Sequence, residues 1–120
     1  MKKIIIITTM AAASISQPVF AKIGVARVVQ CEISGDQGVF TGPCAFTPYE
    51  HGDFSVARLP GKRFYGRSDE IYLAMDAPGK ADAEITDGVT HSRWGTMLRS
   101  KVKPACWIDA EDSRFKVCAY

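Results

Sequence analysis

Two histidines, His51 and His91, stand beside residues that could complete a hydrolytic centre: Asp53 follows the first by two positions, Ser92 directly follows the second, and Ser55 lies close by. A serine activated by an imidazole that a carboxylate orients is the nucleophile of acyl transfer. The chain has no Gly-x-Ser-x-Gly elbow, and His51 falls in a turn. Solvent-facing histidines are therefore expected, with no catalytic set. Asp69 with Glu70, or Asp82 with Glu84, could supply the carboxylate pair of a glycoside hydrolase. Adjacent strand residues point to opposite faces, and Asp82 and Glu84 would share an exposed face with no apolar pocket to raise either pKa. Both pairs are read as solvated edges.

The four cysteines, Cys31, Cys44, Cys106 and Cys118, contain no C-x-x-C pair, and neither histidine stands beside one. That spacing does not suit zinc, so no metal site and no cofactor are expected. An even number of cysteines in an exported chain points to disulfides, and four allow three connectivities. Local pairing, Cys31 with Cys44 and Cys106 with Cys118, is favoured because each pair brackets its own turn. Bonds tying the first hairpin to the last are the competing arrangement.

Charge is segregated along the sequence. Arg93, Arg99, Lys101 and Lys103 share one parity, and Asp69, Glu70, Asp76, Asp82, Glu84 and Asp87 form an acidic band before them. The basic row is the candidate partner-binding surface, since a bipolar surface steers a charged partner. The alternative is that the two bands are cross-strand neighbours that neutralise one another. Trp94 and Trp107 are expected in the core, Trp94 because it shares the apolar parity of its stretch with Leu98 and Val102.

The elements that must position these groups read as strands. Ile23, Val25, Val29, Cys31 and Ile33 alternate, with Arg27 the exception on the same parity. A hairpin with Gln37-Gly38 at its tip would set Cys31 directly opposite Cys44. It would also put Pro43 at a hydrogen-bonded site facing Glu32, which calls for a bulge or an edge, because proline has no N–H to give. Phe54 and Val56 suit a short strand, and Phe64-Tyr65 suits the start of another. The stretch from Ser68 to Ala77 has a helix-capping serine and helix-favouring residues, yet Ile71, Leu73 and Met75 alternate, which favours strand. Pro78-Gly79 is a type II turn signal, and Ala81, Ala83 and Ile85 keep a period of two. A five-residue loop centred on Asp112 closes a final hairpin with Cys106 opposite Cys118. About seven or eight short strands with frequent turns predict an all-β fold, a small antiparallel β-sandwich or barrel stapled by two disulfides.

Met1 to Ala21 has the charged start, short apolar run and small-residue end of a secretory signal peptide. Residues 22–120 then form one β-domain, of a size that cross-links help to stabilise. Losing Lys2 and Lys3 with the leader leaves 13 basic and 13 acidic side chains. A neutral chain is ill suited to non-specific nucleic-acid binding. In size, export and strand content the chain is similar to the C-type lysozyme inhibitors, which present a Ser-Gly-x-x-Tyr loop. Here Ser34-Gly35-Asp36-Gln37 is followed by Gly38 instead, and membership is not inferred. The expected function is a periplasmic or secreted non-catalytic binding domain, an inhibitor or immunity protein acting on an envelope-active or secreted enzyme. A structural envelope module and a small hydrolase are the alternatives. No nucleic-acid partner and no membrane span after processing are expected.

Overall fold

The computed structural model describes residues 22–120; the leader read at residues 1–21 lies outside them. Eight strands follow one another: β1 (Arg27–Gly35), β2 (Gly38–Pro48), β3 (Phe54–Ala57), β4 (Glu70–Ala77), β5 (Lys80–Thr86), β6 (His91–Arg99), β7 (Cys106–Asp109) and β8 (Lys116–Ala119). Each pairs antiparallel with the next, and β8 returns to β1, so the sheet closes into a barrel. Closure leaves no free sheet edge along most of the wall. The ambiguous Ser68 stretch is strand from Glu70, because alternate burial of Ile71 and Leu73 against β3 and β5 outweighs its helix-favouring residues.

Both local disulfides form, Cys31 with Cys44 and Cys106 with Cys118. The last hairpin keeps its expected register, with Cys106 opposite Cys118 and Trp107 opposite Val117. The first hairpin is offset by two residues from its expected register. Gly35 pairs with Gly38, so the tip is Asp36-Gln37, Cys31 faces Gly42 and Cys44 faces Val29. The disulfide is therefore a diagonal link with 5.9 Å between alpha carbons. A two-residue offset preserves which side chains point inward, so the two sulfurs still meet. It also removes the objection from Pro43. Pro43 now faces Gln30, whose carbonyl accepts from the Tyr120 N–H on the other side of β1. A residue that bonds one neighbouring strand turns no N–H or C=O to the other, so the proline sits where the ladder asks for no donor.

Three further expectations change. Ile23 and Val25 are exposed, because β1 starts only at Arg27. Phe64 and Tyr65 do not begin a strand; they lie in the β3–β4 connection and turn inward to plug one end of the barrel. In β6, Ala83 pairs with Gly95 and Glu84 with Arg93, which leaves Trp94 as an extra residue in a bulge. Gly95 adopts φ +150 there. Past the bulge the parity inverts: Met97 is buried and Leu98 faces solvent.

The interior has three zones. Cys31, Cys44, Val56, Ile71, Leu73, Ala81, Ala83 and Met97 fill the middle, with small alanines opposite larger side chains. At the distal end, Tyr65 stands edge-on to Trp94, and Trp94 edge-on to Phe115. The Tyr65 phenol accepts the Gln37 N–H at 2.8 Å and donates to Asp36 at 3.1 Å, so a buried ring holds the tip of the first hairpin. At the proximal end, where the described chain begins and stops, Phe46, Phe54 and Trp107 form a continuous row of rings. The two disulfides lie on opposite sides of the wall. Cys31 and Cys44 belong to the core cluster, whereas Cys118 pairs with the outward-facing Glu32 and is covered from outside.

Candidate functional site

Cross-strand partners share a face of the sheet, so side-chain direction can be followed around the barrel from known core residues. Phe46 pairs with Val56, Phe54 with Leu73, and Trp107 with Val117, which makes all three rings inward-facing. By the same rule Arg27, opposite Phe46, and Arg99, opposite Trp107, occupy inward positions. Each sits at the last step of its strand, where the interior opens, and each covers its neighbour. The Arg27 guanidinium lies 5.5 Å from the Phe46 centroid and that of Arg99 5.7 Å from Trp107. Between them the rings follow at 5.3 Å (Phe46 to Phe54) and 6.1 Å (Phe54 to Trp107). The proximal mouth is thus a row of three aromatic rings with a cation at each end, an arrangement stabilised by ring quadrupoles.

Arg99 is held on three sides. Its N–H donates to the Gly79 carbonyl at 2.9 Å, its Nε donates to the Pro104 carbonyl at 2.7 Å, and its guanidinium rests on Trp107. Among the described residues no carboxylate pairs with it. The nearby acids are engaged elsewhere: Asp53 accepts from the Tyr72 hydroxyl and the Met75 N–H, and Asp76 pairs with Lys80. Two clefts meet at Arg99 and Trp107. One, of about 240 Å³, runs past Phe46, Tyr49, Phe54 and Ala119; the other, of about 430 Å³, runs past His51, Met75 and Pro78.

Basic side chains outnumber acidic ones at this end. Within residues 22–27, 49–53, 76–80 and 99–105 there are six basic side chains and three acidic ones, so the remaining wall and distal end carry the balancing negative charge. A third cation, Lys103, lies over the Tyr120 ring, and Tyr120 in turn donates to Glu32 at 2.9 Å. Tyr120 and then Glu32 hold the Lys103 ammonium above its usual pKa. Val28 and Val102 are exposed around the same end, Val102 at 95%.

The basic row expected on one strand face is dispersed. Arg93, before the bulge, faces outward and pairs with Asp82 at 3.0 Å while also donating to Thr96. Arg99, after the bulge, faces the mouth. β6 ends at Arg99, so Lys101 and Lys103 belong to the β6–β7 connection. Arg99, Lys101 and Lys103 all fall at or past the proximal end of β6, and Arg93 does not join them. Trp107 is buried as expected, at 6% exposure; Trp94 is only partly buried, and its Nε1 has no hydrogen-bond partner among the described residues.

The residues of the hydrolase alternative do not meet as a Ser-His-Asp set, although His91 shares a cleft of about 140 Å³ with Glu70 and Glu84. His51 and His91 are exposed at opposite ends of the barrel, Ser55 is buried, and Asp53 serves Tyr72 and Met75. Asp69 is held by Arg58. A cleft at the distal end, of about 210 Å³, is lined by groups that serve their own turns: Gln37 accepts from the Arg67 N–H, and Asp87 accepts from Val89 and Thr90. Those bonds, with the Thr90 N–H first, hold the Asp87 carboxyl below its usual range. Among the described residues, the one group of potential metal ligands is Glu32 with Cys106 and Cys118, whose sulfurs are joined to each other.

Arg27, Phe46 and Phe54 were not singled out as site residues from the sequence. One signal was present, since Arg27 alone interrupts the apolar parity of its strand. A cation on an inward parity at a strand end marks the rim of a barrel mouth. Among the described residues no helix is long and apolar enough to cross a membrane. Comparison with known proteins finds no matching family model, no similar curated sequence and no similar solved structure.

Proposed function

We propose that this chain is an exported, non-catalytic binding domain, periplasmic or secreted, whose contact surface is the proximal mouth. Its partner is an envelope-active or secreted enzyme that it blocks. The observation that carries this reading is Arg99: an arginine fixed by a carbonyl and an indole, at the meeting point of two clefts, with no carboxylate paired to it among the described residues. Aromatic rings and arginine are the side chains most often found at the energetic centre of protein contacts, and a net positive end speeds the encounter with an anionic partner. The leader sequence and the two disulfides support an oxidising destination. Closure into a barrel whose distal end is plugged by Phe64 and Tyr65 favours a rigid contact surface at the other end, which lowers the entropy lost on binding.

Affinity capture on the immobilised, oxidised protein tests the reading, using periplasmic and culture extracts. The expected result is a partner retained by the native chain and by R93Q but lost by R99E. A partner retained equally by R99E would move the contact surface elsewhere. Stable sedimentation of the protein with peptidoglycan or outer membrane, with nothing captured, would favour the structural module instead.

A further inference from the structure

We infer that the proximal mouth is a receptor for a peptide carboxylate flanked by an apolar side chain: the two outer nitrogens of Arg99 take the carboxylate, and the cleft along Phe46, Tyr49 and Phe54 takes the side chain. This rests on the binding reading above and names the chemistry of its ligand.

The argument begins with what Arg99 has left to offer. A guanidinium presents five N–H donors in a plane. Here Nε is committed to the Pro104 carbonyl and one face to Trp107. The edge that remains holds the two Nη groups side by side, which matches the two oxygens of a planar carboxylate. Because the side chain is already held in place, little of its rotational freedom remains to be lost when an anion arrives. Among the described residues no acid pairs with Arg99, and Asp53 and Asp76 are bonded to Tyr72, Met75 and Lys80.

The surroundings select among anions. A phosphate dianion gathers several converging cations, whereas Arg27 and Lys103 are each held over a ring of their own, Phe46 and Tyr120. The cleft beside Arg99 is walled mainly by Phe46, Pro48, Tyr49, Phe54 and Trp107, with Asp53 on its wall bonded to Tyr72 and Met75, and its volume of about 240 Å³ suits one large apolar side chain. A carboxylate next to an aromatic or aliphatic group satisfies both halves of the site. Net positive charge at this end adds attraction that the balanced chain as a whole lacks.

NMR titration of the full oxidised chain tests this, following the Trp107 indole N–H and the Arg99 Nε–H. The probes are acetyl-Phe-Asp-Phe-amide, its neutral counterpart acetyl-Phe-Asn-Phe-amide, and acetyl-Phe-Phe with a free terminal carboxylate. Both acids should bind saturably, and the tighter one identifies a side chain or a chain terminus as the natural source. The neutral peptide should bind at least about tenfold more weakly, the size of one charge-assisted pair. R99Q should lower affinity for the acids by about tenfold and leave the neutral peptide unchanged, and R99K should recover only part of the loss because an ammonium lacks the fork. R93Q should behave as the native chain. Equal binding of acid and amide, or unchanged acid binding by R99Q in a chain whose spectrum remains folded, would overturn the inference. So would Arg99-dependent retention on phosphatidylglycerol vesicles with no response to the peptides. If Arg99-dependent capture of a protein partner persisted while all three peptides failed, the ligand chemistry would fall and the binding reading would stand.

Discussion

Replacing Tyr65 by phenylalanine should destabilise the barrel by about 2–3 kcal/mol, although the change removes one oxygen. The ring is fully buried and would keep its edge contact with Trp94. What disappears is the acceptor for the Gln37 N–H at 2.8 Å and the donor to Asp36 at 3.1 Å. A neutral hydrogen bond contributes about 0.5–1.5 kcal/mol and one to a carboxylate about 1.5–3 kcal/mol. Both lie at a part-buried turn where water can replace some of the loss, so the low end of each range applies. For a domain near 100 residues this lowers Tm by roughly 10–15 °C. Urea unfolding of the oxidised chain at pH 7 measures it, with an unchanged m-value confirming that only stability moved. The pH dependence gives a second readout. Burial first, and then the Asp36 carboxylate, raise the phenol above its usual value of 10.0, against the Gln37 N–H, which lowers it. The folded chain therefore holds that proton more tightly than the unfolded chain. The resulting stability is complete below pH 10 and is lost as pH climbs through the folded-state pKa. The gap between native and Y65F chains should narrow above pH 10. Tyr72, raised by burial and then by Asp53, titrates in both chains and cancels in the difference. A gap under about 0.5 kcal/mol at pH 7, well below one ordinary hydrogen bond, would refute the claim that this phenol holds the hairpin tip.

The remaining predictions concern the wall. G95A should cost about 1–3 kcal/mol in urea unfolding, because φ +150 disfavours any side chain and a new Cβ would collide with the Asp109 carboxylate. A stability change near zero would mean that the bulge at Trp94 is not held in this form. C31A/C44A and C106A/C118A should each lose about 3 kcal/mol from loop entropy, since they close loops of similar length. The first pair should lose roughly 1 kcal/mol more, because its sulfurs sit within the main core cluster, whereas Cys106 and Cys118, although buried, lie outside that cluster beneath Tyr120, which can settle into the space. Equal losses, or the reverse order, would contradict the assignment of one bond to the interior and the other to the outer wall.

Short-range features were legible in the chain because they depend on residues close in sequence. Turn residues, period-two alternation and cysteines bracketing their own turns identify strands and local disulfides without knowledge of what lies across the barrel. The last hairpin was readable in full, since its loop length sets its register. The first was readable only to within two residues, because a shift of two leaves every side chain on its own face and the alternation cannot distinguish the registers. Closure depends on β8 finding β1, a pairing that joins residues more than 80 positions apart and leaves no local mark. The candidate site belongs to the same class. Phe46, Phe54 and Trp107 form one row because β2, β3 and β7 bring them to the same mouth, and Arg99 faces that mouth because a bulge at Trp94 inverts the parity of β6. Sequence alone placed Arg99 in a basic row with Arg93; the inserted residue separated them, since one extra position on a strand turns every later side chain to the opposite face.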